Sequence, residues 1–196
     1  MANTITYELD GKLYINMTNR CSNSCNFCVR NGKDEFRGYY LWLDKEPTVN
    51  EVIAALGDVA TYKEAVFCGF GEPLYRYNDV ISVAKYLKEK GIKTRINTNG
   101  QALLITGENI VDRIAPYIDT INISLNEVTA EEYNKLCHPV FGEVAYYSLL
   151  DFARCCVGKI KRVILSIVDV IGEDKIEKAQ KIAQDIGAEL RVRKYE

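Results

Sequence analysis

Histidine, methionine and tryptophan are scarce in this 196-residue chain, at one, two and one, and proline occurs four times. The lone histidine, His138, cannot by itself establish acid–base chemistry. No apolar run approaches the roughly 20 residues that span a bilayer. The opening MANTITYEL alternates too much, and is too polar, to act as a signal peptide. A cytoplasmic chain without membrane attachment is therefore expected. Charge of one sign is also lacking, since 25 lysines and arginines face 27 aspartates and glutamates, a net of −2. General attraction to nucleic acid or anionic membrane is not predicted from that balance. Local basic pockets remain, so a nucleic-acid substrate stays open.

Cysteine is what the chain has in quantity. Seven are present, an odd number, and NRCSNSCNFCVRN places Cys21, Cys25 and Cys28 within eight residues. That density fits a metal site in a reducing compartment better than a disulfide framework. Cys155 and Cys156 are adjacent, and a staple between neighbours would strain the backbone. The two sit in a helical stretch and read as packed thiols, as does Cys68 within AVFCGF.

With 47% hydrophobic and 27% charged residues, the chain reads as one domain over residues 1–196 with a substantial core. KLYINMT reads as the first strand, followed by EAVFCGF, KTRINTNG, TINISLN, RVILSIVDV and ELRVRKY. Between them, TVNEVIAAL opens with a capping box at Thr48 and Glu51. Later helices are expected over Val80 to Leu87, ENIVDRIAPYI, EVAYYSLLDFARCC and Ile176 to Ile186, with Gly187 as a C-cap and a short helical turn after Thr129. Six strands with five crossovers predict a parallel α/β unit. Periodicity alone leaves an open partial barrel and a flat doubly wound sheet as candidates. In both, the loops leaving the strands' C-terminal ends gather on one side. Cys21 to Cys28, Gly69 to Pro73, Asn97 to Gly100, Ser124 to Asn126 and Asp169 are thereby predicted to form one site.

Three clustered thiolates suit zinc or an iron–sulfur cluster. Structural zinc needs a fourth ligand, for which Cys68, Cys137 and His138 are the candidates. A four-iron cluster on three cysteines instead leaves one iron open to a substrate or cofactor. In GFGEP, Gly69 and Gly71 permit close backbone approach, Pro73 limits the turn, and Glu72 supplies an acceptor for a cationic amine. Arg30 leads a basic set with Lys33 and Arg37 that can form a rim for a carboxylate or phosphate, or simply a solvated loop. Trp42, in GYYLWLDKEP, is expected to pack over the site or form part of a substrate wall. Cys137 lies in the least regular crossover and is a candidate substrate contact or a structural thiol. Arg191 and Arg193 share one face of the last strand, where either an anion or the bare sheet edge accounts for them.

These motifs resemble the radical S-adenosylmethionine (SAM) superfamily, whose C-x3-C-x-aromatic-C pattern is met by Cys21, Cys25, Phe27 and Cys28. Through LYINMTNRCSNSCNFCVRN, LWLDKEPTVNEVI, VFCGFGEPL, RINTNG, NISLN, VIGEDKI and LRVRKY, the chain resembles the small TatD-linked radical SAM proteins. The resemblance implies an open partial (β/α)6 barrel and a [4Fe–4S] cluster on the three cysteines whose fourth iron chelates SAM. Reductive cleavage would then give methionine and a 5′-deoxyadenosyl radical. It further implies that Phe27 lies against adenine and that the Gly71 and Glu72 segment receives the methionine amino group. Many relatives carry a paired glycine before the glutamate, where Phe70 stands here. By their places at strand ends, Asn99, Ser124 and Asn126 are candidates for the ribose or methionine portion of the cofactor, Asp169 for the nucleoside or substrate, and Arg191 for a carboxylate, with loop capping the alternative for each asparagine and a loop contact for Asp169. Also implied are a reductant such as flavodoxin or ferredoxin and a functional association with a TatD-like hydrolase. The competing function is a noncatalytic iron–sulfur electron-transfer or partner-binding module.

Overall fold

The computed structural model describes residues 4–194. The six expected strands form in sequence: β2 (Lys12–Ile15), β5 (Glu64–Phe67), β6 (Lys93–Thr98), β7 (Thr120–Ser124), β8 (Arg162–Val168) and β9 (Glu189–Arg193). All five pairings among them are parallel. A strand outside the expected six, β1 (Thr6–Leu9), precedes them and pairs antiparallel with β2. The sequence carries its signal: Asp10 and Gly11 both take positive φ, 51° and 69°, as a two-residue hairpin with right-handed strand twist requires. A second hairpin, β3 (Glu35–Phe36) with β4 (Tyr39–Tyr40), turns at Arg37 and Gly38 in the same way, within the long loop after the cysteines.

Strand order decides between the two candidate architectures. The sheet runs β1-β2-β5-β6-β7-β8-β9, with every parallel neighbour consecutive along the chain. A doubly wound sheet reverses its strand order at a switch point, and none occurs in this sheet. The result is an unclosed, singly wound (β/α) partial barrel with β1 and β9 at its open edges.

The crossover helices are α1 (Val49–Leu56), α2 (Tyr77–Glu89), the short α3 (Ala102–Thr106) and α4 (Val111–Ile114), α5 (Ala130–Cys137), α6 (Val144–Cys156) and α7 (Glu173–Ile186). Both halves of the α1 capping box form, with Thr48 accepting from the Glu51 amide and Glu51 accepting from the Thr48 amide. Gly187 closes α7 in the left-handed conformation. The expected third helix, ENIVDRIAPYI, shortens to α4, and an unexpected short α3 precedes it, ended by Gly107 at φ 76°. Apolar stripes of these helices pack on alternate strand residues, including Ile96, Ile121, Ile123, Leu165 and Ile167, in one continuous core.

Period-2 alternation sends the intervening residues to the other face. A parallel sheet covered on both sides reads as an unbroken apolar run. Here the concave face instead carries Tyr14, Arg95, Asn97, Asn122, Ser124 and Ser166 among its residues. Asn122 and Ser166 bond across adjacent strands at 3.1 Å. Near β1 this face is closed by a small cluster of Tyr7, Leu41 and Phe70, with Trp42, Tyr14 and Phe36 against it. Among the described residues no helix is long and apolar enough to cross a membrane.

Gly100 sits where β6 meets the next helix, with φ 78° and the site of a Cβ 2.7 Å from Ile123 Cγ2 and 2.8 Å from Leu149 Cβ. Gly57 has a similar φ of 60° but open space around it. Gly100→Ala is therefore expected to lower unfolding free energy by about 2–4 kcal/mol, from strain plus overpacking. Gly57→Ala should cost only the backbone part, about 1–3 kcal/mol for its pairing of φ 60° with ψ −140°. Urea denaturation of both variants checks the difference.

Candidate functional site

β2 delivers the chain directly into the cysteine loop at the C-terminal mouth of the barrel. The loop hangs on the end of α5, whose last carbonyls lack helical partners. Ser24 and Asn26 donate their amides to the Cys137 and Leu136 carbonyls at 2.9 and 3.0 Å, and Val140 N–H donates to Ser22 at 2.9 Å. Behind the loop, Gln101 Nε2 donates to Asn23 Oδ1 at 2.7 Å and to the Tyr133 hydroxyl at 3.0 Å, while Asn23 Nδ2 also donates to that hydroxyl. All three residues are buried. They hold the loop from β6 and α5 at once, and no motif in the sequence pointed to them.

Two N–H groups point at the Cys21 sulfur: the Asn23 amide at 3.4 Å and Asn99 Nδ2 at 3.9 Å. Asn99 also donates to Ser22 Oγ at 2.8 Å, so this expected cofactor contact supports the loop from beneath. Arg30, expected on a substrate-facing rim, does something else. Its guanidinium donates to the carbonyls of Asn19, Phe70 and Asn23 at 3.3, 3.3 and 3.0 Å, clamping the cysteine loop to the GFGEP loop. A fork with five donors meets three main-chain acceptors, which leaves two donors beyond the clamp.

The thiols are raised above their ordinary range. Burial pushes Cys21 up to about 12, helped by the Glu72 charge and opposed by the Asn23 amide and Arg30. Cys28 is raised by burial, against the Arg30 amide and charge. Cys25 is raised chiefly by its hydrogen bond with the Cys137 thiol, then by burial. Cys137 itself is fully buried, with Asn126 Nδ2 at 3.6 Å from its sulfur. It is thus a packed partner of Cys25 and not an open substrate contact. Trp42 likewise packs edge-on against Phe70, with ring centroids 5.1 Å apart, as part of the aromatic cover over the concave face.

Gly69 and Gly71 are required by contact. A Cβ on Gly69 would lie 2.0 Å from Asn16 Oδ1, and one on Gly71 would lie 2.2 Å from the Thr18 carbonyl and 2.7 Å from that of Arg20. The expected role of Gly71 toward a cofactor is therefore preceded by a packing role. Its absent side chain lets the Glu72 amide donate to the Arg20 carbonyl at 2.7 Å. The Glu72 carboxylate, 2% exposed, accepts from Leu74 N and Thr98 Oγ1 on one oxygen and from Asn99 N, at 2.6 Å, on the other. Burial pushes it up to about 7 against those hydrogen bonds. Two oxygens offer about four acceptor positions, so the second retains one for a further donor.

Phe27 is half-buried against the core. Ser124 is half-buried at the end of β7, and Asn126, at φ 59°, is buried with Oδ1 unpaired. Asp169 is exposed at the start of a short 3₁₀ turn after β8, and Arg191 is exposed on the edge strand. Among the described residues no three Cys, His, Asp or Glu side chains are gathered closely enough to hold a metal ion. Of the candidate fourth zinc ligands, the His138 ring is bonded to Asn26 Oδ1 at 2.9 Å and the Cys137 thiol to Cys25. The donor set still fits an iron–sulfur cluster. Three thiols share one loop, each of Cys21 and Cys28 senses the charge of Cys25, and N–H groups face a sulfur as they do around clusters. Cys25 would turn away from Cys137 to join them.

The family model for the radical SAM superfamily matches residues 15–186. A probable GTP 3′,8-cyclase of Methanocaldococcus jannaschii is 31% identical over 134 residues, covering 67% of this chain and 41% of that protein. The Fe-coproporphyrin III synthase of Methanosarcina barkeri is 36% identical over 87 residues, covering 43% and 20%. The chain thus spans less than half the length of these curated relatives. The structure of Streptococcus suis SuiB bound to S-adenosylmethionine superposes with a TM-score of 0.71 at 21% identity, over 95% of this chain and 41% of the other. A radical SAM methyltransferase from Sphaerobacter thermophilus gives 0.64 at 17% identity, over 96% and 68%. At such identities the two structures speak for the fold.

Glu72 makes a pH-dependent contribution whose sign is fixed. Its folded pKa lies above the ordinary carboxylate value, so the stability it contributes is full below about pH 4.5 and is lost as pH rises through about 7. In cluster-free protein, wild type should lose up to roughly 3 kcal/mol relative to Glu72→Gln across that window. Paired urea titrations at several pH values measure the difference.

Proposed function

The chain belongs to the radical SAM superfamily, and on that premise we propose that it is an enzyme that reductively cleaves SAM at a [4Fe–4S] cluster. When bound, the cluster and SAM supply a one-electron cleavage that yields methionine and a 5′-deoxyadenosyl radical able to abstract hydrogen from a substrate. The observation that carries this reading is the cysteine loop itself: three thiols within one short loop at the mouth of a partial barrel, with N–H donors on one sulfur.

In this reading Cys21, Cys25 and Cys28 hold the cluster as thiolates. Because burial, and at Cys25 chiefly the Cys137 hydrogen bond, keeps these thiols protonated, loading must expel their protons, and Arg30 and the Asn23 amide ease that at Cys21. Glu72 receives a cationic amine at its remaining acceptor position, held in place by Thr98, Leu74 and Asn99. Phe27, Gly71, Asn99, Ser124, Asn126, Asp169 and Arg191 are the proposed surroundings of SAM. The apolar cover of Tyr7, Leu41, Trp42 and Phe70 excludes water from one flank of the barrel. The finer placement, among TatD-linked radical SAM proteins with a functional tie to a TatD-like hydrolase, rests on the motif resemblance. A flavodoxin or ferredoxin is the proposed electron donor.

Anaerobic reconstitution with iron and sulfide, then a low-potential reductant and SAM, should yield 5′-deoxyadenosine. Cys21→Ala, Cys25→Ala and Cys28→Ala should each lose most bound iron and all of this product, while Cys137→Ala should retain iron. A fully loaded wild type that leaves SAM intact would favour the noncatalytic module.

A further inference from the structure

The concave face holds more buried polar capacity than the sheet itself uses. Arg95 points from β6 into the bore at 5% exposure, with its Nε unpaired. The rest of its guanidinium is loosely held: Nη2 lies 3.5 Å from the Tyr14 hydroxyl and 3.4 Å from Glu64 Oε2. That carboxylate is shared with Lys12 at 3.2 Å. One strand over, Asn122 is buried with Nδ2 committed to Ser166 and Oδ1 unpaired. Buried guanidinium nitrogens and amide oxygens without partners are costly, and native structures seldom leave them so without a ligand or water.

The register places a second cation on the same face of the sheet. Arg191 pairs with Ser166 and so shares the concave face with it. Across the open side, Arg191 and Arg95 both act electrostatically on the Tyr14 phenol, which burial raises and the two cations lower. Arg193 and Arg95 act in the same way on the Cys68 thiol, whose hydrogen bond from Asn97 completes this wall. The opposing charges that reach these groups are Glu64 on Arg95, Asp10 on Tyr14 and Glu72 on Cys68. Glu189 is taken up by Arg162 in a two-pronged pair at 2.8 and 2.6 Å.

We infer that, granting the radical SAM reading, this wall binds an oxyanion of the substrate, a carboxylate or phosphate, between Arg95 on the floor of the bore and Arg191 at its edge. An oxyanion would take up the idle Arg95 donor, and in a partly desolvated bore a charge-assisted hydrogen bond is stronger than in water. A neutral substrate would leave it idle. The site thus selects small acidic molecules, and Arg95 and Arg191 are its specificity determinants.

The test uses anaerobic, cluster-reconstituted protein with SAM bound, titrated calorimetrically with inorganic phosphate and separately with succinate. Wild type is expected to bind at least one of them, and Arg95→Gln to weaken that binding roughly tenfold or more. Arg95→Lys should restore part of it, and Arg191→Gln, on an exposed edge, supplies a second variant should the buried change impair folding, with its SAM affinity titrated first because Arg191 also borders the proposed SAM site. Binding of phosphate alone assigns a phosphorylated substrate, and binding of succinate alone a carboxylic acid. Protein that binds SAM but neither anion, or anion binding that Arg95→Gln and Arg191→Gln leave unchanged, overturns the inference. Wild type that takes no SAM refutes the underlying functional reading instead.

Discussion

Two backbone segments lie against each other so closely that no side chain fits between them, and the site depends on that contact. The chain leaving β2 toward Cys21 and the chain leaving β5 through GFGEP meet at Gly71, beneath the carbonyls of Thr18 and Arg20. The Glu72 amide bonds to one of those carbonyls, and Arg30 clips the Phe70 carbonyl to the cysteine loop from the other side. A methyl group at position 71 would force the loops apart. With them would go the registration of Glu72 against Thr98 and Asn99, and so the donor that Asn99 offers to Cys21.

From this contact the roles of the buried groups follow. Glu72 is at once a cap for the turn at Pro73, an anchor for the end of β6, and an acceptor with capacity left over. Its high pKa reflects how little water reaches it. The same burial protects the thiols from solvent and keeps them protonated, so occupation of the site and deprotonation are one coupled event. The loop's second anchor, the end of α5, turns an unsatisfied helix terminus into a shelf for the cysteines.

Much of this was legible from residues. Six apolar runs, the Thr48 and Glu51 capping box, and the Gly187 stop marked elements that formed where expected, because each is a local device. The hairpin turn at Asp10 and Gly11 was equally local, but it fell between a stretch read for its polarity alone and the first expected strand. Strand order was not legible, since periodicity reports which face is buried and says nothing of which neighbour a strand takes. Nor were the contacts of Arg30, Cys137 and Trp42. Their residue types suit a substrate wall, yet loop packing gave each a main-chain, thiol or ring partner instead. The Asn23, Gln101 and Tyr133 network joins residues up to 110 positions apart and leaves no periodic trace. The polar face of β6 and β7 did leave one, in the alternation of RINTN and TINIS.

An iron corner free of protein ligands is the claim on which the functional account turns. Electron paramagnetic resonance of the reduced, reconstituted protein with and without SAM addresses it most directly. The account predicts a [4Fe–4S] signal whose g-values shift when SAM is added. A signal unmoved by saturating SAM, or zinc held by the three cysteines with a fourth protein ligand, would contradict it.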